Sequence, residues 1–246
     1  MINISQLKNK ADRFLQRTKI TYYDWKKPQL VKINGITVPV IDNVPRELQE
    51  ALYAGTYEKY ELKIVESQLQ QNDVVMELGT GIGLVSSFCA KKIGNNRVFT
   101  YEANPVLKPV IWNTYTLNNV SPNLEMCMLG ENVGEQTFYI AKGFWESSIV
   151  PYQDGLQPIN VPVKSFNEEV KKVNPSFLIL DIEGGEYEFF HYANLHNIQK
   201  IAMELHKRII GAEKANFVRS KLIASGFQLN EKISFRGREL FWEKHN

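Results

Sequence analysis

Glycines and an acid near residue 80 have the types and spacing of a site for a nucleotide-like ligand. Glu77 ends the short apolar run of residues 74–76, and Gly79, Gly81 and Gly83 follow at every second position. A turn built from glycines lets a ligand approach the backbone closely, because these residues have no side chain. A carboxylate beside the turn would repel a pyrophosphate, whereas it would attract a cationic group. This pattern predicts a ligand that combines an adenosine with a positive charge.

A second acid supports this prediction. Glu102 lies 19 residues after Gly83, where nucleotide-binding folds place an acid that binds the ribose hydroxyls. S-adenosylmethionine has both a ribose and a cationic end, so we predict it as the cofactor, with Thr80 and Ala103 as further contacts. In the alternative interpretation, Glu77 and Glu102 only end their strands and meet solvent.

Three more polar residues lie at or just beyond the ends of predicted strands and are candidates for catalysis. Methyl transfer to a hydroxyl needs an acceptor oxygen in line with the methyl carbon and a base that takes the hydroxyl proton. Asp181 and His206 are the candidate bases, and Glu204 lies two positions before His206, on the same face of a strand. The three residues could instead hold a divalent cation that orients two hydroxyls. Because such residues are common at strand ends without a metal, the sequence does not favour a metal site.

Other kinds of nucleotide site fit the sequence less well. A dinucleotide site has the pattern Gly-x-Gly-x-x-Gly/Ala, but Leu84 stands at the sixth position counted from Gly79. A P-loop would need Gly-Lys-Ser/Thr, which does not follow. An NAD-binding oxidoreductase therefore stays a less favoured alternative.

The elements that must position these residues begin with an N-terminal extension, residues 1–70, packed on the main domain. Apolar residues at helical spacing predict a helix over 5–17, and Asn34-Gly35 predicts a tight hairpin turn between strands 31–33 and 36–40. Two further helices are predicted at 45–54 and 57–69.

Residues 71–246 form the predicted cofactor-binding domain, in which strands and helices alternate. This alternation is typical of an α/β, doubly wound, mostly parallel sheet. The last strands are joined by only three residues, so they must form an antiparallel hairpin. A parallel sheet with such a hairpin is the outline of the Rossmann-like class I methyltransferase fold. The predicted strands are 74–79, 97–102, 124–129, 177–180, 201–206, 227–235 and 239–244.

Composition limits the classes of protein that the chain can represent. Its 246 residues carry a net charge of +2 from well-mixed charged residues, so no basic surface for nucleic acid or an anionic membrane is predicted. No apolar run has the length of a signal peptide or a membrane span, which predicts a cytoplasmic protein. Cys89 and Cys127 lie in apolar runs and are predicted to be buried free thiols.

Four motifs resemble those of the FkbM-type S-adenosylmethionine-dependent O-methyltransferases, over roughly residues 55–245. The resemblance implies that Glu77, Gly79, Gly81 and Gly83 form the cofactor loop and that Glu102 binds the ribose. It also implies that Asp181 lies next to the transferred methyl and that Glu131 lies near the adenine. The motifs are ELGTGIG, YEANP, LDIEGGEYE and MELH.

The function predicted from these observations is methylation of a hydroxyl on a sugar, glycan or natural product. Family members commonly act on such acceptors. The loop with Trp145, Ser147 and Ser148 could contact the acceptor, and Tyr57 and Glu58 could form a lid. The non-enzymatic alternative is a degenerate cofactor-binding subunit that scaffolds a partner. The oligomeric state is left open.

Overall fold

Alternating strands and helices build a seven-stranded sheet within residues 4–41, 44–140, 156–195 and 197–244, which the computed structural model describes. The sheet is parallel except that β12 runs antiparallel to both of its neighbours. This confirms the predicted fold class, including the antiparallel C-terminal hairpin. The strands, in their order across the sheet, are β11 (Gln228–Leu229), β12 (Glu239–Glu243), β10 (Lys200–Glu204), β9 (Phe177–Leu180), β3 (Val75–Leu78), β4 (Val98–Tyr101) and β5 (Asn123–Glu125).

The order of the strands reverses at β3. From β3 the chain first proceeds outward to β4 and β5, and it later returns to the other side of β3 through β9 and β10. In open α/β sheets, ligands bind at the carboxyl ends of the strands where the order reverses. The glycine turn after β3 therefore lies where the fold predicts a binding site.

Helices cover both faces of the sheet, and alternate strand residues divide between two cores. Val75 and Phe177 face a core that includes α3 and α4, whereas Met76 and Leu178 face one that includes α6, α7 and α9. No helix among the described residues is both long and apolar enough to cross a membrane. The helices are α1 (Ile4–Lys26), α2 (Arg46–Ala54), α3 (Lys59–Gln68), α4 (Leu84–Ile93), α5 (Lys108–Asn118), α6 (Phe166–Val173), α7 (Glu186–Tyr192), α8 (Lys207–Ile210) and α9 (Ala212–Ala224).

The N-terminal segment contains the predicted hairpin and contributes to one of these cores. Strands β1 (Leu30–Ile33) and β2 (Ile36–Pro39) are joined at Asn34 and Gly35, whose φ angles of 44° and 84° are the positive values that the tight turn needs. Buried residues of this hairpin, of α2 and of α3 pack with those of α4. Helix α1 extends to Lys26, well beyond the predicted end at residue 17.

Two predicted strands differ in the structure. The predicted strand 124–129 is divided, because residues 128–130 leave the main sheet and pair with a long strand of a separate sheet. The predicted strand 227–235 is strand only at its start. After Leu229, Ser234 Oγ donates to Asn230 O at 2.8 Å, so local hydrogen bonds fold this part of the segment into a turn. The separate sheet contains β6 (Met128–Gly130), β8 (Gln157–Ser165) and β7 (Gly134–Ile140).

Candidate functional site

A cavity of about 700 Å³ opens at the carboxyl ends of β3, β4, β9 and β10. Its volume lies within the range of about 300–1,000 Å³ that is usual for small-ligand sites. The walls come from the glycine turn, the loop after β4, residues 127–136 and the ends of β9 and β10. Of the residues predicted for the site, those that line it are Gly79, Gly81, Glu102, Ala103, Glu131, Asp181 and Glu204.

The glycine turn is fixed by close approaches that leave no room for side chains. A Cβ atom on Gly79, whose φ is +88°, would lie only 1.8 Å from the carbonyl oxygen of Asp181. A Cβ on Gly81 would lie 2.8 Å from the Tyr57 hydroxyl and 3.0 Å from Glu58 Oε1. The turn is thus held between the end of β9 and the segment before α3, with its backbone facing the cavity.

Glu102 is positioned by the backbone of the same turn. Its Oε2 accepts a hydrogen bond from Gly81 N at 3.0 Å, and its Oε1 accepts one from Asn104 N at 2.7 Å. Burial raises the pKa of Glu102 to about 7, although these backbone donors act in the opposite direction. Each oxygen can accept a further bond, which suits the two hydroxyls of a ribose.

Three predicted cofactor contacts, Glu77, Thr80 and Gly83, are not part of the cavity lining. Glu77 is only 2% exposed, and its Oε2 accepts a hydrogen bond from Thr100 Oγ1 at 2.6 Å. Thr80 hydrogen-bonds the same Thr100 hydroxyl. Burial raises the pKa of Glu77 to about 8. These residues support the glycine turn from inside the fold, because the strand that carries Glu77 is buried on both faces.

The far end of the cavity is more apolar. Leu107, Met128, Leu129 and Phe138 line it together with Glu131. Apolar side chains beside a carboxylate suit an adenine ring, which is the neighbour that the resemblance implies for Glu131. The loop with Trp145, Ser147 and Ser148 lies outside the described residues.

Four carboxylates surround His206 at the other end. His206 Nδ1 lies 2.6 Å from Glu186 Oε1, while Nε2 lies 3.0 Å from Glu183 Oε2, 3.1 Å from Glu204 Oε1 and 3.7 Å from Asp181 Oδ1. The three predicted catalytic residues are therefore neighbours. His206 itself lies beyond the end of β10, so its proximity to Glu204 comes from the loop that leads to α8 and not from a shared strand face.

The electrostatics of this group limit which residue can act as a base. Burial lowers the pKa of His206, but hydrogen bonds to Glu183, Glu186 and Glu204 outweigh it and raise this pKa strongly. The raised pKa favours the protonated imidazole, so His206 could act as a base only in its minor, unprotonated form. Burial and the nearby carboxylates raise the pKa of Asp181 well above its usual value.

Sequence reasoning missed three members of this group, which are Glu183, Glu186 and Arg238. Glu186 Oε1 accepts a hydrogen bond from Gly184 N at 3.1 Å, and it also lies 2.6 Å from His206 Nδ1. Arg238 forms an ion pair with Glu204. Its position in a short connection between strands carried no signal of a site, because its contact with Glu204 of β10 is a tertiary one.

Comparison with known proteins identifies the family. The methyltransferase FkbM domain matches residues 73–229, which is more than half of the chain. No curated protein matches it significantly. Among solved structures, the chain is similar to magnesium protoporphyrin IX methyltransferase from Synechocystis PCC 6803, with 13% identity, coverage of 83% of this chain and 87% of that one, and a TM-score of 0.47.

A second structure is the tRNA (uracil-54, C5)-methyltransferase of Pyrococcus abyssi, with 12% identity, coverage of 88% and 43%, and a TM-score of 0.48. The family match agrees with the glycine turn, the position of Glu102 in the cavity wall and the size of the cavity, all of which fit the cofactor. The chain belongs to the FkbM methyltransferase family and is an S-adenosylmethionine-dependent methyltransferase.

Proposed function

We propose that this enzyme transfers the methyl group to a hydroxyl of a sugar, glycan or natural product. The observation that carries the proposal is the contact between Gly79 and the backbone of Asp181, where a Cβ would overlap the carbonyl oxygen. This contact joins the cofactor turn to the acidic group in one cavity. An acid next to the cofactor is what an O-methyltransferase needs to accept the hydroxyl proton.

The residues of the cavity divide into a cofactor end and an acceptor end. Gly79, Gly81, Glu102 and Ala103 would hold the cofactor, with Glu131 near the adenine. Glu58 would bind the cationic amino group of the cofactor, because its buried Oε2 accepts no hydrogen bond from the described residues. When bound, S-adenosylmethionine supplies an electrophilic methyl group on a sulfonium.

Asp181 is our candidate for the base. The acceptor oxygen uses a lone pair to form the O–CH₃ bond, the S–CH₃ bond breaks with its electron pair left on sulfur, and the hydroxyl proton passes to the Asp181 carboxylate. Glu183, Glu204 and Arg238, which belong to the group around His206, also line the cavity. Several hydrogen-bonding groups at this end suit an acceptor that carries several hydroxyls.

Two measurements test the proposal. Calorimetry with S-adenosylmethionine and with NAD⁺ is expected to show binding of the first only. Transfer of a labelled methyl group should then be assayed against a panel of sugars, polyols and phenolic natural products. Tight cofactor binding without transfer to any hydroxyl would favour the scaffold alternative, and binding of NAD⁺ alone would contradict both.

A substitution locates the base within the working enzyme. Asp181→Asn keeps the size of the side chain, so we expect kcat to fall by about 10²–10⁴-fold, the usual contribution of a general base. The dissociation constant for the cofactor should change by less than about threefold, because no direct bond from Asp181 to the cofactor is proposed. Glu168→Gln, which removes an exposed carboxylate on α6, is the matched control. An unchanged kcat in Asp181→Asn would place the base elsewhere.

A further inference from the structure

The acidic end of the cavity has the geometry of a divalent-cation site. One ligand atom each from Asp181, Glu204 and His206 lie within 4.8 Å of one another. Around His206 Nε2, the distances to the Glu204 and Asp181 oxygens are 3.1 Å and 3.7 Å. Neighbouring ligands of an octahedral cation with bonds of about 2.1 Å are separated by about 3.0 Å. The two oxygens thus approach His206 Nε2 almost as closely as neighbouring ligands of a bound cation do.

The orientation of His206 supports the same interpretation. Its Nδ1 lies 2.6 Å from Glu186 Oε1, and Glu186 is completely buried. A histidine whose Nδ1–H is held by a buried carboxylate presents the lone pair of Nε2 to the opposite side. This is the arrangement by which proteins orient metal-binding histidines. Here Nε2 faces Asp181, Glu183 and Glu204 at the cavity wall.

The charges of the group are not balanced by the described residues. Asp181, Glu183, Glu186 and Glu204 carry four carboxyl groups around one imidazole, and Arg238 pairs only with Glu204 among them. Two buried oxygens, Asp181 Oδ1 and Glu186 Oε2, accept no hydrogen bond within the described part of the chain. A buried carboxylate oxygen without a donor is costly, and a cation is the partner that would satisfy it.

We propose that Asp181, Glu204 and His206 bind a divalent cation, which holds the acceptor through two neighbouring oxygen atoms. The cation would replace the proton on His206 Nε2. Three protein ligands leave open positions on an octahedral cation, and an acceptor with adjacent hydroxyls could fill two of them. Mixed imidazole and carboxylate ligands suit Mn²⁺ or another first-row cation better than Mg²⁺. The sequence alone did not favour such a site; the distances around Nε2 do.

The cation site deepens the proposed function without replacing its base. A carboxylate has two oxygens, so Asp181 can bind the cation through the buried Oδ1 and keep its second oxygen for the hydroxyl proton. The side chain of Asp181 is 23% exposed and lines the cavity, although Oδ1 itself is buried. Coordination to a cation also lowers the pKa of a hydroxyl, which eases its loss of the proton.

The test measures binding of Mn²⁺ directly and needs no acceptor. The full chain is treated with EDTA, desalted and titrated with MnCl₂, while electron paramagnetic resonance reports the free ion. We expect one Mn²⁺ per chain. Asp181→Asn and Glu204→Gln should each weaken binding at least tenfold, and Glu186→Gln should weaken it about 10–100-fold through the orientation of His206.

Controls distinguish a failure of the cation site from a failure of the cofactor site. Glu168→Gln should bind Mn²⁺ as the wild type does, and circular dichroism should show that each variant is folded. Cofactor binding by the EDTA-treated wild type, measured by calorimetry, should be unchanged, so loss of the cation and loss of the cofactor site are distinguishable. The cation site is refuted if wild-type protein binds no Mn²⁺ at about 1 mM, or if the variants at Asp181 and Glu204 bind it equally well.

Discussion

Glu102 is the residue whose surroundings most clearly indicate a ligand. It is 6% exposed, it faces the cavity, and two backbone N–H groups fix its carboxylate. Such a group loses little freedom when a ribose binds, because its position is already set. The same bonds explain why Gly81 and Glu102, 21 residues apart, act as one unit.

Glu102→Ala tests this arrangement. The change removes the acceptors for the ribose and two hydrogen bonds that shape the glycine turn. Each hydrogen bond to a charged group contributes about 1.5–3 kcal/mol, so the cofactor should bind at least tenfold more weakly in calorimetry. Glu66→Ala, on the exposed side of α3, is the control and should bind normally. Equal affinity in both variants would show that Glu102 does not contact the cofactor.

Glu77 offers a prediction about pH, since burial raises its pKa to about 8 in the folded protein. In the unfolded chain a glutamate has a pKa of about 4.3. Between these two values the unfolded state releases the proton and the folded state keeps it. The free energy of unfolding therefore falls as pH rises through this window, by at most about 1.4 kcal/mol per pH unit for one group.

Glu77→Gln removes this contribution, because the amide does not ionise. Relative to the wild type, the variant should gain stability between pH 5 and pH 8, measured by urea denaturation at each pH without cofactor. Other buried acids, such as Glu58 and Glu102, are present in both proteins, so their contributions to the free energy of unfolding cancel in the difference between the two proteins. Parallel pH profiles for the two proteins would show that Glu77 is ionised in the folded state.

At the scale of elements, the turn after β3 depends on its contact with β9. Gly79 and Gly35 have similar φ angles of +88° and +84°, but a Cβ on Gly79 would overlap the Asp181 carbonyl oxygen, whereas one on Gly35 meets nothing within 4 Å. Substitutions at Gly79 and Gly35 therefore separate the free-energy cost of the backbone conformation, which both share, from the cost of the close approach, which only Gly79 has.

Gly79→Ala and Gly35→Ala should differ sharply. A left-handed conformation costs an alanine about 1–2 kcal/mol, which both variants share. Gly79→Ala must also force two strand ends apart, so we expect a loss of several kcal/mol more in urea denaturation, with weaker cofactor binding in the protein that still folds. Similar stabilities would mean that the turn can move away from Asp181 freely.

Elements whose signals are local could be predicted from the sequence. The structure has the Asn34-Gly35 turn, the end of β3 before Gly79, the end of β9 before Asp181 and the alternation after residue 73, all of which depend on neighbouring residues. The group around His206 could be predicted only in part. Asp181, Glu204 and His206 lie at or just beyond the ends of strands. Glu183, Glu186 and Arg238 reach the group through tertiary contacts. The division of the strand 124–129 likewise depends on pairing with β8, which lies about 30 residues away and has no local signal.

At the scale of the whole molecule, residues 30–68 contribute to the main core. Leu62 of α3 is completely buried and belongs to the same core as Val75 of β3 and Leu84 of α4. The N-terminal segment therefore supports the sheet directly. That residues 1–70 form an extension of the main domain stays a prediction, and stability measurements can test it.

Leu62→Ala should lower the free energy of unfolding by about 2–5 kcal/mol, the usual cost of a cavity at a buried leucine. Leu30→Ala, at a leucine that is 46% exposed, should change it by much less. Urea denaturation followed by fluorescence should show a single transition in both variants. A separate transition for the N-terminal segment in Leu62→Ala would indicate an independent unit.

The position of β3 and β9 between two cores has a consequence for the exchange of amide hydrogens with solvent. Solvent can reach these strands only when the packing on both faces is lost, because each strand buries side chains on either side. We expect their amides to exchange through complete unfolding, at the slowest rates in the protein, whereas those of β11 at the sheet edge exchange through local opening. The ends of β3 and β9, which line the cavity, would then open only when the whole protein unfolds.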